Sequence, residues 1–487
     1  MLSWRSLPRS SYATCASGLW ELRMLDYEEL VSKVLEKRRD LSREELERLV
    51  DKMTREMPFL NRAGALLILL GEAGAGSEVG EARDYSLTNI AGLTPGLGRV
   101  NIRGRVISIG FMQLSEDRRV ARLKLGDGTG KVEVVCWDEK AEQLAGLQLK
   151  PGDIAEVRAG YTRISQLTGR VEVHVGKQGS VERSMDDAGI PPLTKLFTPV
   201  SEALASGEDM VDLLGVVLYL GKQREVSVEG GESSLAEIIL SDGHGECLLT
   251  VWEEPLSHLT DIKLMDVVMV SQVRRKDEGF ATTTRSQILK PAKHEFEELV
   301  RSAEQRVIRG GRYLVLDRVD TPSRSVIICT DGSGVLRMEG DQEFRRGDCF
   351  KAGYAVKLGR RGKTYLYASD ISQIAREGCE GVRFSPTKIR LEQSPEPAID
   401  VIITGTITGK TPLSKTDTRY GEREVIHFWL KQGEKVISGS AWGGKAIELD
   451  KIPEGTNVEL RWVSLRLNKY NELELRLDQD SVIETLN

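Results

Sequence analysis

One phrase is written twice in this chain. "LGDGTGKVEVVCWDE" runs from Leu125 to Glu139, and "LSDGHGECLLTVWEE" runs from Leu240 to Glu254. Each reads Leu-x-Asp-Gly-x-Gly, then an apolar strand, then a Trp ten residues after the Asp. The Asp-Gly pair reads as a turn. It recurs as "TDGSG" at Thr330–Gly334 and, as a relic, in "KQGEK" at Lys431–Lys435. Repetition at this scale is the first constraint on the fold, because each copy must be one folding unit.

The same order surrounds each of the four turns. A β-rich run with a Gly comes first: "NIRGRVISIG", "DLLGVVLYLG", "IRGGRYLVLD" and "VIITGTITGK". A second strand, the turn and a third strand follow, and the third ends in Trp137, Trp252 or Trp442 in units one, two and four. A polar stretch then leads to a closing hairpin, where alternation such as Val171, Val173, Val175 has the period of a half-buried strand. Five strands with a short helix or loop between the third and fourth is the profile of an OB-fold, a small Greek-key barrel. The expected fold class is mainly β: four tandem OB-fold five-stranded barrels at 84–182, 193–292, 303–376 and 397–487. Unequal spacing of the turns predicts real linkers rather than a stacked solenoid. With 487 residues, several domains are needed in any case.

Before the first barrel, residues 26–72 read as a small three-helix unit. Tyr27, Leu30, Val31, Val34 and Leu35 share one helix face. "LSREEL" supplies an N-cap at Ser42 with Glu45 completing a capping box, and Leu41 with Leu46 as a staple. Residues 1–23 hold one acid and three Arg, and are expected to be a disordered tail or a spurious extension.

Net charge is −6, which lowers the expectation of a nucleic-acid partner without removing it, since a local basic groove can coexist with acidic outer faces. No apolar run approaches the ~18–20 residues of a membrane span. The six cysteines form no C-x-x-C, and no metal or other cofactor is expected; their usage suits a reducing cytoplasm. "GEAGAGS" at Gly71–Ser77 has Ser where a phosphate loop needs Lys, and no G-x-S-x-G or H-E-x-x-H occurs. The chain is therefore expected not to be an enzyme.

A large aromatic at the end of strand three can plug the barrel or stand outside as a platform for a base. In "KVEVVCWDE", inward Val132, Val134 and Cys136 place Trp137 on the polar face, which favours the platform. Other candidates pair rings with cations on the hairpins: Tyr161 with Arg163, Phe280 with Arg274 and Arg275, Tyr365 with Arg361 and Lys363, and Tyr470 with Lys469. The first-to-second-strand loops add Arg119 and Arg419. Rings that take bases, beside cations that track phosphates, are what unpaired nucleic acid requires. Unit three lacks the strand-three aromatic, having Asp341 there, which marks it as a spacer or protein-contact barrel.

On "LTNIAGLTPGLGRVNIRGRVISIG", "LGDGTGKVEVVCWDE" and "LKPGDIAEVRAGY" the sequence resembles the archaeal replication protein A family of single-stranded DNA binding proteins. The likeness implies barrels that coat single-stranded DNA in replication, repair and recombination, in the cytoplasm at the nucleoid. It matches the family's strand-three aromatic to Trp137, Trp252 and Trp442, its hairpin aromatic to Phe280 and Tyr470, and its basic residue after the first-strand Gly to Arg105. The four-cysteine zinc module of some relatives is missing. Replication or repair proteins are expected on the helical unit or on the third barrel. RNA binding, or scaffolding without DNA, is the alternative.

Overall fold

The computed structural model describes residues 31–32, 34–36, 41–56, 62, 65–66, 69, 86–166, 168–228, 231–321, 325–418 and 421–486. The expectations for residues 1–23, and for Arg419, lie outside these. The chain divides into two units, Met1–Tyr85 and Ser86–Asn487.

In the first unit, helix α1 spans Arg43–Glu56. Its capping box forms: the Ser42 N–H donates to Glu45 Oε2 (2.9 Å) and the Glu45 N–H to Ser42 Oγ (3.3 Å). Val31, Val34, Leu46, Val50, Ala65, Leu66 and Leu69 share one buried cluster.

The second unit contains four sheets among the described residues, and each closes on itself. Ring 1 comprises β1 (Val100–Ser115), β2 (Arg118–Gly126), β3 (Lys131–Trp137), β4 (Ile154–Ile164) and β5 (Val171–Val175). Ring 2 comprises β6 (Met210–Leu220), β7 (Gly231–Ser241), β8 (Glu246–Trp252), β9 (Val267–Lys276) and β10 (Gly279–Ala281). Ring 3 comprises β11 (Ile308–Asp320), β12 (Ser325–Thr330), β13 (Leu336–Glu339), β14 (Cys349–Arg360) and β15 (Lys363–Ile374). Ring 4 comprises β16 (Ala398–Lys410), β17 (Gly421–Gln432), β18 (Lys435–Trp442), β19 (Asn457–Leu467) and β20 (Leu473–Leu477). In every ring the first strand pairs with both the second and the fourth, and the third runs parallel to the fifth. Each ring encloses its own apolar core.

The repeated residues each have a structural cause. The first strand must cross close over the end of the second, and its Gly permits this: a Cβ would lie 3.0 Å from the Gly126 carbonyl at Gly104 and 2.5 Å from the Lys431 carbonyl at Gly405. A bulge then lets the strand serve two partners. It falls at Ile107, Leu218, Leu316 and Thr408. The turn Asp fastens the segment before the ring onto the hairpin. Asp127 accepts the N–H groups of Thr129 (2.7 Å), Gly130 (2.9 Å) and Ile90 (2.9 Å). Asp242 likewise accepts those of His244 (2.9 Å), Gly245 (2.8 Å) and Ser201 (2.8 Å), the last at the start of helix α2 here labelled Val200–Ser206. In ring 4 Gln432 takes the role, accepting the Leu391 N–H at 2.7 Å.

Burial would push the Asp127 and Asp242 carboxyls up, but these donors outweigh it and hold both below their ordinary value. A carboxyl lowered by folding contributes stability that is complete above its unfolded pKa, about 3.9, and is lost as pH falls through the folded value. The Tm is therefore expected to hold between about pH 7 and 5 and to drop below about pH 4. Asp127→Asn should remove part of that drop, and a thermal scan across this range checks it.

The residue after each strand-three Trp turns the chain with φ positive: Asp138 (47°), Glu253 (38°) and Gly443 (58°). Asp138 and Glu253 offset the strain with side-chain bonds, accepting Arg119 N–H (3.0 Å) and Ser233 Oγ–H (2.8 Å). An Ala has no such bond, so Gly443→Ala should cost about 1–3 kcal/mol in thermal unfolding.

The rings are docked, not strung on free tethers. The segments read as linkers carry structure: Ser180–Ser184 pairs with β4, α2 follows, and α3 spans Glu297–Glu304. Bulge residues Ile107 and Leu218 enter one cluster with Phe197, Val216, Tyr354, Val356 and Leu358 that joins rings 1, 2 and 3. Leu316 packs against the cluster that joins rings 3 and 4, with Ile328, Ile402 and Trp462. Thr408, at the bulge of the last ring, is exposed. Buried ions add to each joint. Asp212 receives Lys124 Nζ (2.8 Å) and Lys131 Nζ (2.9 Å) from ring 1, and Asp317 receives Arg461 Nε (2.9 Å) and Trp462 Nε1 (2.6 Å) from ring 4. Cys349 and Cys379, 30 residues apart, are joined by a disulfide, which the cysteine spacing did not predict.

Candidate nucleic-acid interface

Alternation on the third strand sets the outward face of each ring. In ring 1, Val132, Val134 and Cys136 enter the core, and burial pushes the Cys136 thiol up to about 12, so it packs as an apolar group. Glu133, Val135 and Trp137 point the other way, in register with Lys124, Arg122 and Val120 of β2. His174 lies beside Val135, and Tyr161 beside His174. Trp137 is half-buried with the Arg118 guanidinium 5.2 Å from its ring centre. Tyr161 stacks on His174 at 5.4 Å and carries the exposed Arg163 at 5.0 Å. Burial, opposed by Glu172 and aided by Arg163 and Arg122, lowers the His174 pKa, so its ring is neutral at pH 7. Arg122 is held by Glu133 (2.8 Å) and Glu172 (2.9 Å), and Arg119 by Gln113 (2.8 Å) and Glu142 (2.7 Å).

Ring 4 repeats the strand-three indole but draws its cation from the fifth strand and its tyrosine from the turn before that strand. Trp442 is half-buried, 5.3 Å from the Arg476 guanidinium. Tyr470, 70% exposed in the β19–β20 turn, lies 4.9 Å from Lys469 Nζ. Asn468 holds that turn open by accepting the N–H groups of Tyr470 (2.9 Å) and Glu472 (3.0 Å). Trp429, on the same outward face, was not among the candidates. Its signal was present, because inward Ile426, Phe428 and Leu430 leave His427 and Trp429 outside.

In rings 1, 2 and 3 the next ring meets part of the outward face: Lys124 and Lys131 of ring 1 reach the buried Asp212 of ring 2, and Glu133 receives Arg285 of ring 2 at 3.3 Å. Ile239 and Leu248 of ring 2 are buried with Tyr354, Val356 and Leu358 of ring 3. Ile328 and Arg337 of ring 3 are buried under Ile402, Trp462, Asp400 and Asp480 of ring 4. Trp252 keeps an open edge, lining a 250 Å³ cleft with Pro255 and Thr282–Thr284, and its backbone N–H donates to Thr282 Oγ1 at 2.9 Å.

Several candidates have other employment. Phe280 is 1% exposed in the ring 2 core, because β10 has three residues and Phe280 pairs with inward Leu249. Arg275 lies over its ring, 5.2 Å away, but donates to the carbonyls of Glu208 (3.0 Å) and Leu204 (3.3 Å), where it caps α2. Arg105 donates to the carbonyls of Pro191 and Gly152, both at 2.7 Å, and pins the segment between rings 1 and 2. Lys363 is buried against Asp480 at 2.8 Å in the joint between rings 3 and 4. Tyr365 is half-buried beside Arg360 at 5.0 Å, and Arg361 reaches Glu278 of ring 2 at 3.4 Å. Arg274 is exposed. Arg105, Arg275, Arg361 and Lys363 share one cause, in that distant parts of the chain supply carboxylates or carbonyls that the local sequence does not show.

Residues 100–177, which span ring 1, match the model of a family described as an OB-fold nucleic acid binding domain. Replication factor A of Methanothermobacter thermautotrophicus is 22% identical over 264 residues, covering 50% of this chain and 32% of that protein. The match thus spans about a third of the relative's length. Among solved structures, a replication protein A heterotrimer bound to ssDNA is 12% identical, covering 82% of this chain and 96% of that chain with a TM-score of 0.36. A replication factor A related protein from Methanobacterium thermoautotrophicum is 22% identical, covering 22% of this chain and 96% of that chain with a TM-score of 0.19. The resemblance to archaeal replication protein A therefore extends from quoted motifs to half of the chain.

Proposed function

We propose that the chain is a four-barrel OB-fold protein that binds and protects single-stranded DNA, in replication, repair and recombination, and performs no catalysis. One observation carries this reading. Rings 1 and 4 each set the indole at the end of the third strand beside an arginine, Trp137 with Arg118 and Trp442 with Arg476, and a tyrosine beside a further cation, Tyr161 with Arg163 and Tyr470 with Lys469. Stacked bases and tracked phosphates need that combination, and neither needs a catalytic group. The archaeal relative named replication factor A supports the same reading. Rings 2 and 3 then serve chiefly as rigid connectors, with ring 3 or the helical unit offered to protein partners.

The test is equilibrium binding of the full chain to oligo-dT and oligo-rU of about 30 nucleotides, room for two sites of up to ~16 each. Oligo-dT should bind more tightly, with log K falling against log salt by about 0.7 for each phosphate neutralised. Tighter binding of oligo-rU would favour an RNA partner, and no binding of either would leave scaffolding.

A further inference from the structure

The four outward faces are built on one plan, yet they are not equally available. On rings 2 and 3 the residues facing out from the second and third strands are largely apolar or ion-paired, and the next ring lies over them. On ring 1 the cations Arg122, Lys124 and Lys131 are consumed by Glu133, Glu172 and Asp212. The bulge residue of ring 4 is the polar, exposed Thr408, where the other rings have an apolar residue.

Its face can be read as a grid. Trp429 pairs with Ser438, His427 with Ser440, and Val425 with Trp442. Ser438 continues to Glu474 and Ser440 to Arg476, and these continue to Arg466 and Ser464. Trp429, 42% exposed, and Trp442 are therefore separated by four residues of strand, about 13 Å. That separation lets separate bases stack on the two rings. Between and beside them lie small hydroxyls. Ser440 Oγ–H donates to Glu474 at 2.6 Å, so the one acid within the grid is engaged.

The cations are less neutralised here than on ring 1. Arg476 has a partner in Asp478 at 2.7 Å. Arg466 has no carboxylate within ion-pairing distance among the described residues, and it is half-buried. Burial, and then the positive charge of Arg476, lower its pKa, and the charges of Glu474 and Asp478 offset this only in part. Arg466 and Arg476 are diagonal neighbours across the last two strands of the ring, and an anion such as a backbone phosphate relieves the repulsion between two such charges.

We propose that the outward face of ring 4 is a self-contained single-stranded DNA site, with Trp429 and Trp442 as base platforms and Arg466 beside Arg476 as the phosphate contact. The inference rests on the single-strand reading above and assigns it residues of its own.

The experiment uses the full chain with Trp429→Ala, Arg466→Gln and Arg466→Lys, titrated with oligo-dT and with oligo-rU of about 30 nucleotides across a salt series. Trp429→Ala should weaken binding by about fivefold or more while melting stays cooperative. Arg466→Gln should make the slope of log K against log salt shallower by about 0.7, and Arg466→Lys should restore it. The arginine pair also keeps the test decisive if the Trp429 variant folds poorly. If the unaltered chain binds oligo-dT but Trp429→Ala and Arg466→Gln match its affinity and slope, the ring 4 site is overturned and the general reading stands. If the unaltered chain binds no oligo-dT at all, the general reading fails first. A loss confined to oligo-rU would overturn the DNA assignment.

Discussion

Arg337→Ala should lower the stability of the joint between rings 3 and 4 by about 3–5 kcal/mol. Arg337 is fully buried, and its guanidinium lies between Asp400 and Asp480, both contributed by ring 4. Burial disfavours its charge, but the two carboxylates overcome this and raise its pKa, so the group is charged in the folded protein. Asp480 keeps Lys363 at 2.8 Å when the arginine is removed, whereas Asp400 loses the cation that compensates it. A buried carboxylate without a partner is among the costliest single defects a fold can carry. Calorimetry should show ring 4 melting ahead of the remainder. Replacing Arg337, Asp400 and Asp480 together by apolar residues of similar volume should recover much of the loss. A wild-type melting profile for Arg337→Ala would contradict the buried-ion account of the joint.

Trp137→Ala combined with Trp442→Ala is expected to weaken single-stranded DNA binding by about 2–6 kcal/mol, roughly 30-fold to 10⁴-fold in Kd. Each indole contributes about 1–3 kcal/mol when a base stacks on it, and the two lie in different rings without shared partners, so their effects should add. Both rings are half-buried at the ends of strands and belong to no core cluster, so cooperative unfolding should persist. Trp252→Ala should have a smaller effect than either, because ring 3 buries Ile239 and Leu248 on the same outward face of ring 2. Fluorescence-anisotropy titration with a labelled oligo-dT reads all three. Equal losses from all three substitutions would mean that ring 3 moves away when DNA binds.

What was legible in the sequence is what local periodicity controls. Alternation placed Val132, Val134 and Cys136 inside and Trp137 outside, and the same logic applied to "VIHFWL" places Trp429 outside with it. The Ser42–Glu45 capping box and the Asp-Gly turns are satisfied within three residues in sequence, so they too could be read directly. Phe280 could not, because a three-residue strand offers no run of alternation to fix its side. Arg105, Arg275 and Lys363 read as DNA contacts because a cation met in sequence shows only its charge. Their partners lie 47 to 117 residues away. The docking of the rings was equally hidden. It depends on which residue occupies the bulge, apolar Ile107, Leu218 and Leu316 at the joints and polar Thr408 in ring 4, and a bulge is invisible until the register is known.

Photo-crosslinking with oligo-dT carrying iodinated uracils, followed by mapping of the adducts by mass spectrometry, tests the central claim most directly. Stacked aromatic side chains should capture the label. Adducts are predicted at Trp137 and Tyr161 on ring 1 and at Trp442 and Tyr470 on ring 4, with none on the covered Ile328–Arg337 face of ring 3. Adducts concentrated on ring 3, or a bound oligonucleotide that labels none of those four rings, would contradict it.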